Sequence, residues 1–189
     1  MTPAKVRDQR QDSILAAAQT LIAVEGVDAV TMAQLATATG LSRPAIYQYF
    51  ASKEHVLGEL VINEMADLSN AIDSQLAKIT DPMERIRIWV HYTLAHLASP
   101  DHRSIRAISI NSLPEEQRGM INAMHGHFMF ALVSPVGEIG IKDVTATCHL
   151  IYASVASAAK RIDEGSEFTR EAAALEQFTI AGLSASASN

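Results

Sequence analysis

The sequence predicts an all-α protein of about nine helices, with a three-helix helix-turn-helix head over residues 1–53 and a larger helical body over 54–189. Three observations predict it. Apolar residues recur at spacings of three and four along most of the chain, the period that lines one face of a helix. The segments marked in this way are separated by Asp, Ser and Thr caps and by Gly and Pro, which start and stop helices. No stretch alternates apolar and polar residues convincingly enough for a strand, and no internal repeat is found.

Ile14, Leu15, Ala18, Leu21 and Ile22 share a helical stripe and place the first helix at about residues 8–25, with Gly26 ending it. Thr31 is the N-cap of the next, because its hydroxyl can accept from an otherwise unpaired N–H of the first turn. Met32, Leu35 and Ala36 then fall on one face. Gly40 stands where a helix stops in the left-handed conformation that glycine adopts cheaply. Leu41 plugs the corner, Ser42 caps a second short helix, and Pro44 occupies its first turn, where a missing N–H costs little. Ile46 and Phe50, four apart, anchor that helix to the core.

Ser52 caps a long helix running to about Lys78, with Leu57, Leu60, Val61, Met65 and Leu68 as its buried stripe. Asp81-Pro82 opens another, lined by Ile86, Trp89, Val90, Thr93 and Leu97 and stopped by Ser99-Pro100. A shorter helix is expected near 101–112, and a further one over about 115–133 containing Met120, Met124, Phe128, Met129 and Leu132. The Pro and Gly content of Ser134 to Gly140 predicts a loop. Two more helices are expected at about 143–163 and 167–183, then a fraying small-residue tail from Ser184 to Asn189. The first of these carries many small residues, including Ala146, Ala153, Ser154, Ala156 and Ser157, which let helices approach closely. With Leu175, Phe178, Thr179 and Leu183 on the last helix, this suits a four-helix bundle between two subunits; tight packing within one subunit suits it equally.

The chemistry concentrates in residues 31–53. Arg43, Pro44 and Gln48 lie off the buried face, near the leading end of the second short helix. Arg can fork onto guanine, Gln onto adenine, and Pro can touch a thymine methyl. Tyr47, Tyr49 and Lys53 suit phosphate oxygens, which fix register without reading sequence. The competing interpretation is an αα-corner serving only as scaffold. The order Thr31, Gly40, Ser42, Tyr47, Phe50, Lys53, Glu54 resembles the DNA-binding signature of the TetR family of bacterial repressors, over about the first 60 residues. That resemblance implies Thr31, Ser42, Tyr47 and Lys53 on phosphates and Arg43, Pro44 and Gln48 facing bases. It also implies a homodimer, paired through the helices at about 143–163 and 167–183, on a palindromic double-stranded operator. Many members carry Lys-Gly or a similar small pair in place of Arg43-Pro44, and an aromatic or His in place of Gln48, so the operator sequence does not transfer from relatives.

Composition narrows the class. The net charge of −6 is unevenly divided: residues 1–53 hold five basic and four acidic side chains, the remainder ten and seventeen. An acidic body would orient the neutral-to-basic head toward DNA, although a merely solvated acidic surface has the same composition. No apolar run approaches the roughly 20 residues that span a bilayer, and the start, MTPAKVRDQRQDS, has no signal-peptide apolar core. The single Cys148 cannot form an intramolecular disulfide and fits a reducing cytoplasm. No Gly-rich phosphate loop, GxSxG elbow or HExxH is present, so no enzyme is expected. No cofactor or metal is expected either: no two of the seven His residues are spaced i, i+4, with His125 and His127 two apart and His91 and His96 five apart.

TetR-like bodies hold a small molecule between their middle helices, and Trp89, Tyr92, His96, Met120, Met124 and Phe128 offer such a lining, with Asn111 as a polar contact. Met and aromatic side chains suit a small hydrophobic effector; the same residues also make ordinary core. The combined expectation is a ligand-responsive, homodimeric cytoplasmic repressor. Two rivals stand beside it: a DNA-binding regulator controlled by a protein partner, and a helical enzyme or carrier that uses the corner as scaffold.

Overall fold

The structure, a computed structural model, describes residues 3–187, with side chains over 9–185. The side chains of Lys5, Arg7 and Asp8, counted above in the charge of the head, lie outside the described set, as do Ser188 and Asn189 of the tail. Nine α-helices and two short 3-10 turns are present among the described residues, and no strand. The helices are α1 (Pro3–Glu25), α2 (Met32–Thr39), α3 (Arg43–Tyr47), α4 (Lys53–Leu76), α5 (Pro82–Leu97), α6 (Pro100–Ile105), α7 (Glu115–Glu138), α8 (Val144–Asp163) and α9 (Phe168–Ala187).

Local punctuation acts as expected. Thr31 Oγ1 accepts from Gln34 N at 3.1 Å and Ser42 Oγ from Ala45 N at 3.3 Å. Asp81 accepts from Glu84 N at 2.8 Å, with Pro82 opening α5, and Asp143 accepts from Ala146 N at 2.9 Å at the start of α8. Each cap satisfies one of the orphan donors of a first turn. Gly40 closes α2 at φ 67°, the left-handed position in which a side chain would be strained.

The residues pack as two compact units, Met1–Glu64 with Pro100–Asn122, and Met65–Ser99 with Ala123–Asn189. This division by packing differs from the expected functional division at residue 53. The first twelve residues of α4, to Glu64, share a core with α1 to α3, and α6 and the opening turns of α7 join them. In the first unit Ile14, Ala18, Val30, Leu35, Ile46 and Val56 are fully buried, and α1 packs against both α2 and α6. In the second unit α5 packs against α8 and α9 around Ile72, Ile86, Trp89, Leu94, Leu132 and Val155.

The elements depart from expectation in four places. The first helix starts at Pro3, ahead of residue 8. The helix expected over 101–112 is broken into α6 and a 3-10 turn at Ile110–Ser112. The segment read as a loop from Ser134 to Gly140 is mostly helix, because α7 runs through Pro135 to Glu138. A Pro there costs about 3 kcal/mol in lost hydrogen bonding and crowding. Leu132 and Val136 on either side of it are both fully buried, and each returns roughly 1.5–3 kcal/mol. Arg85 holds the end, its Nη1 donating to Glu138 Oε1 at 2.8 Å, while Ser134 Oγ donates to the same oxygen at 2.8 Å. Lastly, α9 continues through Ala187, past the tail expected from Ser184.

Candidate nucleic-acid interface

The short helix α3 is held from one side only. Ile46 is fully buried and Phe50, just past its end, is 1% exposed. Both lie on the face that meets the core of the first unit, where α2 and α3 pack together. Thr31, Ser42, Arg43, Pro44, Tyr47 and Gln48 are exposed, and Tyr49 and Lys53 are half-buried. Arg43 and Pro44 at the leading end of α3, and Gln48 just past its other end at the C-cap rather than near the start as expected, are therefore all open. They are not walled in by side chains of their own unit.

Beyond α3 the chain turns sharply and is fixed by short bonds. His55 N donates to Ser52 Oγ at 3.2 Å, and Ala51 N donates to His55 Nδ1 at 3.3 Å. The imidazole stands edge-on to Phe50, with centroids 5.6 Å apart and planes at 78°. Because the Ala51 N–H donates to Nδ1, that ring nitrogen is the acceptor, and Nε2 carries the proton in the neutral ring. His55 was absent from the sequence expectations; a His two residues after Lys53 carries no signal without the turn that folds it back.

The residues expected around an effector separate into two groups. Trp89 is fully buried and stacks against Phe128 at 4.9 Å, its Nε1 donating to Phe128 O at 3.1 Å. Tyr152 joins both rings at 6.4 Å, and burial raises its phenol above the ordinary range. Tyr92, His96 and Met124 are half-buried. Asn111 and Met120 are exposed and belong to the first unit, where Asn111 O accepts from Arg118. Tyr152 was not anticipated as a partner of Trp89, since it comes from α8, more than sixty residues away.

The α8–α9 pair presents a face to solvent. Leu150 and Phe178 are each 69% exposed, and between them lies a cleft of about 220 Å³ lined by Ile151, Ser154, Thr179 and Gly182. The Thr179 hydroxyl is buried there without a partner. Arg161 braces the two helices at the other end, its Nη2 2.7 Å from Glu171 Oε2, and this hydrogen-bonded guanidinium holds the Glu171 carboxyl below its usual range. Cys148 is buried, and burial pushes its thiol above the ordinary range. No helix of the described residues is long and apolar enough to cross a membrane.

Comparison with known proteins agrees with the head. Residues 14–60 match the family of bacterial regulatory proteins of the tetR type. Over 95 residues the chain is 34% identical to the nucleoid occlusion factor SlmA of Vibrio campbellii, covering 50% of this chain and 48% of that protein. Over 123 residues it is 28% identical to the HTH-type transcriptional regulator HbdR of an Aromatoleum species, covering 64% and 53%. The match thus spans about half the length of these relatives. In fold, the transcriptional regulator FadR of Bacillus subtilis, solved with stearoyl-CoA, superposes with a TM-score of 0.74 at 18% identity, covering 90% of this chain and 98% of that one. A capped helix, a left-handed glycine corner and an outward-facing second helix fall within the matched residues, so the head of this chain, over residues 14–60, carries the DNA-binding domain of the tetR type of bacterial regulatory proteins.

Proposed function

We propose that this protein is a ligand-responsive transcriptional repressor that binds a palindromic DNA operator as a homodimer. The observation that carries this reading is the exposed outer face of α3, with Arg43 and Pro44 open at its leading end and Gln48 open at its C-cap, while Ile46 and Phe50 hold its rear. Arg43 and Gln48 would hydrogen-bond base edges in the major groove, and Pro44 would sit against a thymine methyl. Thr31, Ser42, Tyr47, Tyr49 and Lys53 would bond phosphates and fix the register. Residues 1–53 would read DNA, and 54–189 would bind effector and pair the subunits.

The α8–α9 face supplies the pairing. Leu150 and Phe178 are too exposed for a lone subunit to gain from them, and a two-fold partner would bury both. Two α3 helices about 34–36 Å apart would then read half-sites one turn apart. A small hydrophobic effector fits the aromatic cluster of Trp89, Phe128 and Tyr152, with Tyr92, His96 and Met124 beside it; Asn111 and Met120 carry less weight because they are exposed. That a protein of this fold holds stearoyl-CoA supports an effector with a long apolar part. Its binding would shift α4, and the two heads with it, only by its preference for one arrangement over the other. The likeness to a nucleoid occlusion factor favours a second reading, a DNA-binding factor whose body answers to a protein partner.

The test is selection of duplexes from a random pool by the purified protein. Enrichment of an inverted repeat supports the repressor reading, and its release by long-chain acyl thioesters supports the effector class. Recovery of no preferred duplex at low salt refutes both readings and leaves a scaffold role for the corner.

A further inference from the structure

Gln117, three residues into α7, is 6% exposed and packs its side chain against α4 within the first unit. Nε2 donates to His55 O at 3.1 Å and to Glu59 Oε2 at 3.3 Å. The other end of the amide, Oε1, is buried with no hydrogen-bond partner. It faces Gly58. A Cβ on that glycine would stand 2.6 Å from Gln117 Cδ and closer still to Oε1, so α4 carries no side chain where the amide enters.

This arrangement is unfavourable on two counts. An orphaned buried acceptor costs about 1–3 kcal/mol, and a glycine inside a helix costs roughly 1 kcal/mol relative to Ala. An Ala at 58 facing an apolar residue at 117 would join the two helices without either cost. What the amide adds is a fixed place for one backbone carbonyl, that of His55. His55 is the joint after α3: Ser52 caps its N–H, its ring accepts from Ala51 N, and the same ring packs edge-on against Phe50. Phe50 and Ile46 are the two buried anchors of α3. A contiguous set of contacts therefore runs from α7 through His55 to the rear of α3.

We propose that Gln117 is a positioning residue for DNA reading, a clamp from α7 that sets the first turn of α4 and, through His55 and Phe50, the pitch of α3. Gly58 is the socket that admits it. The inference rests on the reading that α3 enters DNA and goes beyond it by naming what holds α3 in register. Gln117 itself touches no DNA.

The test uses the full chain as wild type, Gln117→Ala, Gln117→Met, Gly58→Ala and the double variant Gly58→Ala/Gln117→Ala. The probe is the duplex that wild-type protein enriches from a random pool. Gln117→Met keeps the volume and loses the donor; it and Gly58→Ala, which expels the amide, should each weaken binding roughly five- to tenfold. Gly58→Ala should do so without lowering Tm, since Ala favours the helix, and that separates positioning from stability. In the double variant the new methyl enters vacated space, so the loss should be no larger than for Gln117→Ala alone. Hydrogen exchange over residues 51–59 of the free protein should quicken in every variant that loses the donor. Wild-type affinity in both Gln117→Met and Gly58→Ala, or losses that simply add in the double variant, would overturn the proposal. If wild type enriches no duplex, the DNA reading fails and this role with it, while the exchange comparison still reports whether the clamp holds α4.

Discussion

Phe178→Ser removes the largest side chain from the exposed face of α9 and tests the proposed pairing directly. Phe178 is 69% exposed in the single chain, so Ser there should leave the fold of the subunit nearly unchanged. Fully burying a Phe is worth about 1.5–3 kcal/mol. About two-thirds of that remains to be gained on association, or roughly 1–2 kcal/mol per copy. A two-fold interface contains the residue twice, so one substitution removes roughly 2–4 kcal/mol from the dimer. At 1.4 kcal/mol per decade, the dimer dissociation constant should rise about thirty- to a thousandfold.

Sedimentation velocity from nanomolar to micromolar protein reads this constant, and thermal unfolding at high concentration checks that the subunit stays folded. Leu150→Ser, across the same cleft and equally exposed, should shift the constant in the same direction by a smaller amount. DNA affinity measured below the new dissociation constant should fall with dimer content, because a lone head engages one half-site. A Phe178→Ser protein that dimerises within threefold of wild type would exclude this face from the pairing, and another face would have to join the subunits.

Three other outcomes follow from the structure. Tyr47→Phe should weaken binding to all duplexes alike, whereas Arg43→Ala should cost about 1–3 kcal/mol at one base pair per half-site and relax preference there, as read by competition titration. Trp89→Phe keeps an aromatic ring against Phe128 but loses the bond from Nε1 to Phe128 O, so stability in urea should drop by at least about 1 kcal/mol. The Glu171 carboxyl is depressed by the hydrogen bond from Arg161, so its contribution is present above the ordinary carboxylate pKa and is lost as pH falls through the depressed one. Acid unfolding of Glu171→Gln should accordingly show a shallower fall in stability over that interval than wild type, and an unchanged slope would remove the pair from the account.

Much of this molecule is legible in its sequence wherever a residue acts on its own neighbours. Thr31, Ser42, Ser52 and Asp81 each cap the helix that begins at the next residue, and Gly40 turns where a left-handed residue is needed. The exposed set on α3 follows from the four-residue spacing of Ile46 and Phe50. Pro135 shows where local reasoning stops. Its helix-breaking tendency is real, but the burial of Leu132 and Val136 outweighs it, and burial is set by partners far away in sequence. Gln117 and Gly58 are invisible for the same reason: a polar residue early in a helix and a lone glycine inside another mean nothing until the fold places one against the other.

The charge of the head gives the pairing its importance. Among the motif residues only Arg43 and Lys53 carry positive charge, and the other expected phosphate contacts, Thr31, Ser42, Tyr47 and Tyr49, are neutral. Neutral donors position a protein on DNA but release no counterions, so a single head should bind weakly and with little dependence on salt. Two heads on one rigid dimer turn the second encounter into an intramolecular one, with an effective concentration set by their spacing. The same spacing then becomes the sensitive quantity. A head with abundant net positive charge could stay bound when its partner is misaligned; one whose five basic side chains are nearly balanced by four acidic ones would hold on less well. With so little net positive charge at its DNA end, the proposed repressor would depend on pairing through α8 and α9 for affinity and on the joint after α3 for fit, and a modest displacement of α4 would then suffice to release it.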